Sequence, residues 1–249
     1  MNSVMNSVLF GNGYWANIVK EKIVELTNLI SVVDSKTDVV LGNVDIAFVC
    51  SSTASHYDVI KRCLDNGIKY LFCTKPFTGD YEKAKELFGI AEQKNICIFV
   101  DNLFLFRKEI INIQVKDMRR IFFGWNKPVI RENLFDSLLY HDLYLLLNWC
   151  GTDGWEFVMG YVLRDALYLS ITNHYQRCTF DYHIGKESDE WKSNKWIIID
   201  SYTIDLSCPQ NDPLKECIVN MLQGNIDYDL SKKVTLDTLR LMSSIKKQL

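Results

Sequence analysis

Val8–Lys20 reads VLFGNGYWANIVK, and no other stretch restricts the chain's fold as strongly. Val8, Leu9 and Phe10 make a short apolar run suited to a buried parallel strand. Gly11, Asn12, Gly13, Tyr14, Trp15 and Ala16 then fit G-x-G-x-x-G/A, and Asn17 to Leu26 has helical spacing. A strand that turns through glycines into a helix suits the pyrophosphate of a dinucleotide. Gly11 permits the tight turn, Gly13 lets the backbone approach the anion, and small Ala16 lets helix and strand pack together. The helix N-terminus adds unpaired N–H groups and the positive end of a dipole. Gly11, Asn12, Gly13, Tyr14 and Trp15 are therefore the first candidate cofactor-binding residues.

A second apolar run, Leu29 to Asp34 (LISVVD), ends in an acid. Asp34 follows Gly11 by 23 positions, near the ~20 expected of the carboxylate that binds an adenosine ribose diol. A carboxylate there accepts from the 2′-hydroxyl and repels a 2′-phosphate, so NAD is expected and NADP disfavoured. Lys36 is the one neighbouring feature that softens this preference.

The remaining composition narrows the alternatives. A net charge of −3 gives no basic excess for a nucleic-acid backbone, and no apolar run approaches the ~20 residues of a membrane span. The opening MNSVMNSV has neither a basic start nor a long apolar segment, so no secretory signal is read there and a cytoplasmic location is expected. Eight cysteines contain no C-x-x-C pair, and several sit inside apolar runs, where cysteine behaves as a small buried hydrophobe. They read as reduced core thiols. The four histidines show no metal-ligand spacing, and no metal site is expected.

Along the chain, Val44–Cys50 (VDIAFVC), Lys69–Cys73 (KYLFC) and Ile96–Val100 (ICIFV) read as further buried strands, with helices at Tyr57–Asn66 and Tyr81–Lys94. This rhythm predicts a parallel sheet covered by helices. The gap between Asp34 and Val44 is too short for the usual extra helix and strand. Ser51, Ser52, Thr53 and His56 lie in the polar SSTASH segment after the third strand, where open α/β sheets line their ligand crevice, and join the cofactor-binding candidates. From about Asn102 the pattern changes. Asp136–Trp149 reads as an apolar helix, followed by strands at Phe157–Leu163, Ala166–Asn173, Arg177–His183 and Lys195–Ile204, then helices at Leu214–Leu222 and Leu236–Lys247. The expected class is α/β: an N-terminal Rossmann-type parallel sheet in residues 1–103, then an α+β domain with an open, mostly antiparallel sheet in residues 104–249.

These landmarks together resemble the glucose–fructose oxidoreductase/inositol dehydrogenase (Gfo/Idh/MocA) family. Gly13-Tyr14-Trp15-Ala16 is similar to its G-x-G-x-W-G turn, and Val44–His56 to its V-D-x-V-x-I-x-T-P-x-x-x-H segment. GIKYLFCTKP, Gly67–Pro76, is similar to G-K-x-V-x-x-E-K-P, with the motif lysine on Lys75 and Thr74 in place of the glutamate. Leu139–Gly151 resembles its G-x-H-x-x-D-x-x-x-x-L-x-G helix and puts the motif histidine on His141; Asp212-Pro213-Leu214 resembles its C-terminal ending.

The resemblance implies a dehydrogenase that moves a hydride between NAD and a carbinol or keto carbon of a sugar or nucleotide-sugar, as a homo-oligomer, dimer or tetramer. Lys75 follows a buried strand at the crevice, where desolvation lowers an ammonium pKa toward working pH, and it is the expected acid/base group. Its bond to Pro76 is one that can be cis. His141 is the second catalytic candidate. The family's aspartate four residues ahead of this histidine is Ser137 here; Asp136, one residue earlier, points about 100° away on an ideal helix and is the third candidate. Asp142 reads as a solvated or capping charge. Asn102, Arg107, Arg119, Arg120 and the Arg131-Glu132-Asn133 segment are weaker substrate-contact candidates, and Trp191 and Trp196 flank a charged, hairpin-like stretch. Because Thr74 and Ser137 stand where carboxylates are usual, two other readings stay open: a non-catalytic dinucleotide-binding module, and an imine reductase on the same scaffold.

Overall fold

The computed structural model describes residues 4–34, 41–113, 119–127, 134–185 and 193–249. Lys36, Arg131, Glu132, Asn133 and Trp191 lie outside the described residues, as do the side chains of Asp136 and Ser137. The chain forms two units, one from Met1–Leu103 with Leu214–Leu236, the other from Phe104–Pro213 with Asp237–Leu249.

In the first unit, strands β1 (Asn6–Phe10), β2 (Asn28–Val33), β3 (Ile46–Val49), β4 (Tyr70–Cys73) and β5 (Cys97–Val100) make one parallel sheet in the order β2-β1-β3-β4-β5. Helices α1 (Tyr14–Leu26), α2 (Thr53–Asp65) and α3 (Tyr81–Gln93) connect them. The apolar runs meet in register: Leu9, Phe48, Phe72 and Phe99 lie side by side across four strands, with ring centroids 5.5 and 6.0 Å apart along the phenylalanine file. Asp80 caps α3 by accepting from the Lys83 amide. β2 departs from expectation. It is an edge strand whose Ile30 and Val32 remain 46% and 40% exposed, because pairing on one side only leaves one flank open.

In the second unit, β6 (Arg120–Asn126), β7 (Trp155–Leu163), β8 (Ala166–Asn173), β9 (Cys178–Gly185), β10 (Asn194–Ile199) and β11 (Tyr202–Asp205) form a sheet in the order β11-β10-β6-β9-β8-β7. Every pairing is antiparallel except β6 with β9. β9 and β10 are not neighbours: β6, which sequence pattern did not reveal, lies between them. The single strand expected over Lys195–Ile204 is two, turning at Asp200, whose φ is +50°. Helix α4 (Tyr140–Cys150) buries Tyr140, Leu143, Tyr144 and Leu147, and Phe123 of β6 meets Trp149 at 6.3 Å. The expected α-helix over Asp136–Trp149 instead opens with a π-helical turn, Leu134–Leu139.

Two helices follow, α5 (Pro213–Leu222) and α6 (Tyr228–Lys246). The division at 103/104 put both in the second domain, whereas Leu214–Leu236 groups with the first unit. α5 buries Leu214, Cys217, Ile218 and Met221, and the ion pairs Lys215–Glu25 and Lys232–Glu92 join the segment to α1 and α3.

Candidate active site

The glycine turn sits where the sheet order reverses. β1 pairs with β2 on one side and β3 on the other, so the crevice at their carboxyl ends is the switch point where such sheets bind ligands. Phe10 is in register with both Val33 and Val49, which puts Gly11 between Asp34 and Cys50. The Gly11 amide donates to Val33 O at 2.9 Å, and the Cys50 amide to Phe10 O at 2.8 Å. Gly11 has φ +120°, and a Cβ there would stand 2.7 Å from Cys50 O, so both conformation and space demand glycine. Gly13 differs: a Cβ would meet nothing within 4 Å. Gly13 is the N-cap of α1 and supplies no side-chain cap, so the first-turn amides have no capping side chain from it. This cradle fits a dinucleotide pyrophosphate. Asn12 is exposed, as are Tyr14 and, at 36%, Trp15. Asp34 is exposed at the end of β2.

The second loop of the crevice follows β3. Ser52 is the N-cap of α2 and Thr53 its first residue, while Ser55 Oγ donates to Ser51 Oγ at 2.8 Å. His56 is 1% exposed, with Nε2 2.9 Å from Ser51 O and Nδ1 3.1 and 3.2 Å from Pro76 O and Phe77 O. It clamps the Ser51 turn to the turn after β4. Burial lowers its pKa, with the three carbonyls opposing that shift. Lys75 stands in that clamped turn, half-buried, with a cis bond to Pro76. Phe77 anchors the turn, buried against Phe88 at 4.7 Å. Thr74 donates its hydroxyl to Val49 O at 3.2 Å, a structural task no glutamate would perform in the same way.

In the second unit His141 is the second residue of α4, half-buried, with its ring edge-on to Phe104 at 5.2 Å. The π-helical turn before it corrects the ideal-helix angle used for Asp136. Its hydrogen bonds run from i to i+5, so the 100° spacing does not apply there, and one extra residue is absorbed. Asp142 is corrected too. It is fully buried and accepts from Lys195 Nζ at 2.5 Å, and that ammonium lies 4.1 and 4.0 Å from the rings of Phe104 and Trp125. Arg107 is buried and acts as a tether, donating to Leu206 O and Glu109 at 2.7 Å each. Arg120 pairs with Asp181 at 3.1 Å, Asn102 is fully buried, and Trp196 fills the space that glycine leaves at Gly124.

Two residues escaped sequence reading. Lys195 is in phase with inward-facing Ile197 and Ile199, an alternation that marks it as buried. Asp101 directly follows an apolar strand, as Asp34 does, and is 2% exposed.

Residues 17–102 match the family model described as oxidoreductase family, NAD-binding Rossmann fold (GFO_IDH_MocA). An uncharacterised oxidoreductase of Schizosaccharomyces pombe is 37% identical over 76 residues, a stretch covering 28% of this chain and 20% of that relative. The chain is similar in fold to UDP-N-acetylglucosamine 3-dehydrogenase GnnA of Acidithiobacillus ferrooxidans, with TM-score 0.77, 17% identity and 97% of each chain covered. It is likewise similar to the WlbA (WbpB) dehydrogenase of Thermus thermophilus, solved with NAD and UDP-GlcNAcA, with TM-score 0.79, 13% identity and 96% and 94% of the two chains covered. Over residues 17–102, the chain is similar to the NAD-binding Rossmann fold of the Gfo/Idh/MocA oxidoreductase family.

Proposed function

We propose that this chain is an NAD-dependent oxidoreductase acting on a carbinol or keto carbon of a sugar or nucleotide-sugar. The observation that carries the reading is the Gly11–Gly13 turn at the β1/β3 switch point, with open space beyond Gly13 and Asp34 flanking Gly11. Gly11, Asn12, Gly13, Tyr14 and Trp15 hold the pyrophosphate end; Ser51, Ser52 and Thr53 border it; Asp34 accepts from the ribose diol and disfavours a 2′-phosphate. His56 acts indirectly, by holding the Ser51 turn against the Pro76–Phe77 turn. Bound nicotinamide supplies or takes the hydride.

Lys75 moves the proton. In oxidation its amine takes the hydroxyl proton, and in reduction its ammonium returns it to the alkoxide oxygen. His141 is assigned the orienting of the hydroxyl, with Asp136 as its companion, as the resemblance of the Leu139–Gly151 segment implies. A nucleotide-sugar is the preferred substrate class because two proteins of this fold, the GnnA and WlbA dehydrogenases, are described with UDP-sugars. The sheet face opposite α4 carries part-exposed Phe122, Tyr168 and Ile198 beside exposed Tyr161, which supports association of like chains through it.

A panel of UDP- and dTDP-sugars assayed by nicotinamide absorbance tests this. Turnover of at least one sugar is expected, falling about 10²–10⁴-fold in Lys75→Ala. Dinucleotide binding with no turnover across the panel would favour the non-catalytic module, and unchanged turnover in Lys75→Ala would overturn the proton assignment.

A further inference from the structure

Asp101 is the residue after β5, and its amide donates to Cys73 O at 2.8 Å. Cys73 and Val100 are register partners, so Asp101 lies beside Thr74, the neighbour of Lys75. The carboxyl is 2% exposed, and its Oδ1 meets no hydrogen-bond partner among the described residues. A carboxyl so placed is costly to ionise unless a cation compensates. The groups that act on it or feel it are Lys75 from the turn after β4, Cys50 after β3, Cys73 of β4 and Cys217 of α5. Among these four, Lys75 is the only cation.

We propose that Asp101 is the proton-holding partner of Lys75, keeping as a carboxylic acid the proton that would otherwise sit on the lysine, so that the amine can accept the one the substrate hydroxyl releases. This inference rests on the reading of Lys75 as the acid/base group. The bookkeeping is that of one shared site. With a single proton on the pair, burial makes the neutral form (amine and carboxylic acid) competitive with the ion pair, because two ions in a low-dielectric site are expensive. The neutral form presents an unprotonated amine. When the hydroxyl O–H breaks, an N–H forms on Lys75 and the pair holds two protons; one is later lost to solvent, and the reverse reaction runs the steps backward. Asp101 touches no reacting atom and works through the amine, so it is a positioning residue. Burial pushes its carboxyl up to about 7 against the pull of Lys75, so the pair changes its proton count near neutrality, where an acid/base group is most useful.

The test begins without turnover. With 13C-labelled aspartate side chains, the full chain is titrated by NMR as wild type, Asp101→Asn and Lys75→Met. The expected result is one carboxyl titrating near neutrality, absent in Asp101→Asn and moved up by about one pH unit in Lys75→Met, since losing a nearby cation disfavours the carboxylate. A carboxyl in the ordinary range, or one indifferent to Lys75→Met, overturns the proposal, and this comparison stands even if Asp101→Asn fails to fold. On a substrate found by the sugar panel, Asp101→Asn is expected to lower kcat at least about 10-fold, shift its pH profile and leave KM unchanged, with Asp101→Glu restoring part of the rate. Turnover with an unaltered kcat profile in Asp101→Asn would sink the relay while leaving the dehydrogenase reading in place. Absent turnover with a linked titration would sink the dehydrogenase reading and the relay with it, leaving only a coupled Asp101–Lys75 pair.

Discussion

Lys195 Nζ stands 2.5 Å from Asp142 Oδ1, with the lysine side chain 4% exposed and the aspartate not at all. The ammonium rests between the rings of Phe104 and Trp125, and the Phe104 ring also meets the edge of His141. One buried charge pair therefore ties β10 to the start of α4, where the candidate histidine resides. Removing a single partner leaves an uncompensated ion in the interior. Asp142→Ala is expected to cost about 3–5 kcal/mol, measured by urea denaturation. The double variant Asp142→Leu with Lys195→Met should recover most of that loss.

Gly11 is held by its conformation as well as by space. With φ +120° and Cys50 O 2.7 Å from where an added methyl would stand, Gly11→Ala must shift β3 or the turn itself. A loss of about 1–3 kcal/mol is expected, together with loss of dinucleotide binding. Thermal unfolding and a titration with NADH check the two effects separately.

In the proposed reading, Asp34 sets the choice between dinucleotides. It is exposed just after β2, following Val33, the register partner of Phe10. NADH is expected to bind at least about 10-fold more tightly than NADPH, a difference of about 1.4 kcal/mol. Asp34→Ala should narrow that ratio, chiefly by strengthening NADPH. Fluorescence titrations of both cofactors measure it.

Asp101 makes a pH-dependent contribution to stability whose sign follows from its raised pKa. Its carboxyl sits at about 7 in the folded chain against 3.8 ordinarily, so the unfolded chain loses this proton first as pH rises. The stabilising contribution is complete below about pH 4, declines through the interval up to about 7 and is constant above it. Between pH 5 and pH 8 the wild type should lose about 3 kcal/mol relative to Asp101→Asn. Urea denaturation of both chains at the two pH values gives the difference, and the titrating groups not coupled to Asp101 cancel in it.

The parts legible in the sequence are those whose chemistry is local. VLFGNGYWA carries strand, turn and helix start within nine residues, and the apolar runs AFV, YLFC and CIFV became β3, β4 and β5. The exposure of β2 was not legible, because an edge is a property of the sheet order and not of LISVV itself. β6 was missed for a similar reason. Its arginine at 120 and glycine at 124 break the apolar pattern, and only Trp196 packed on Gly124 explains that glycine. The π-helical turn ahead of α4 left no pattern either, since a one-residue insertion looks the same as a shifted motif. Thr74, Asp101, Asp142 and Lys195 took their roles from partners far along the chain, so their residue types alone said little.

Everything proposed for the site depends on a dinucleotide resting on the amino end of α1, over Gly13. Gly13→Val tests this most directly, because the added side chain enters open space, at a backbone φ of −75° that valine accepts, and leaves the fold alone. NADH is titrated into wild type and Gly13→Val in parallel, with nicotinamide fluorescence as the readout and melting temperature as the control. The predicted result is saturable binding to the wild type and at least about a tenfold loss, 1.4 kcal/mol or more, in a variant that melts at the same temperature. Equal binding by the two chains, or none by the wild type, would contradict it.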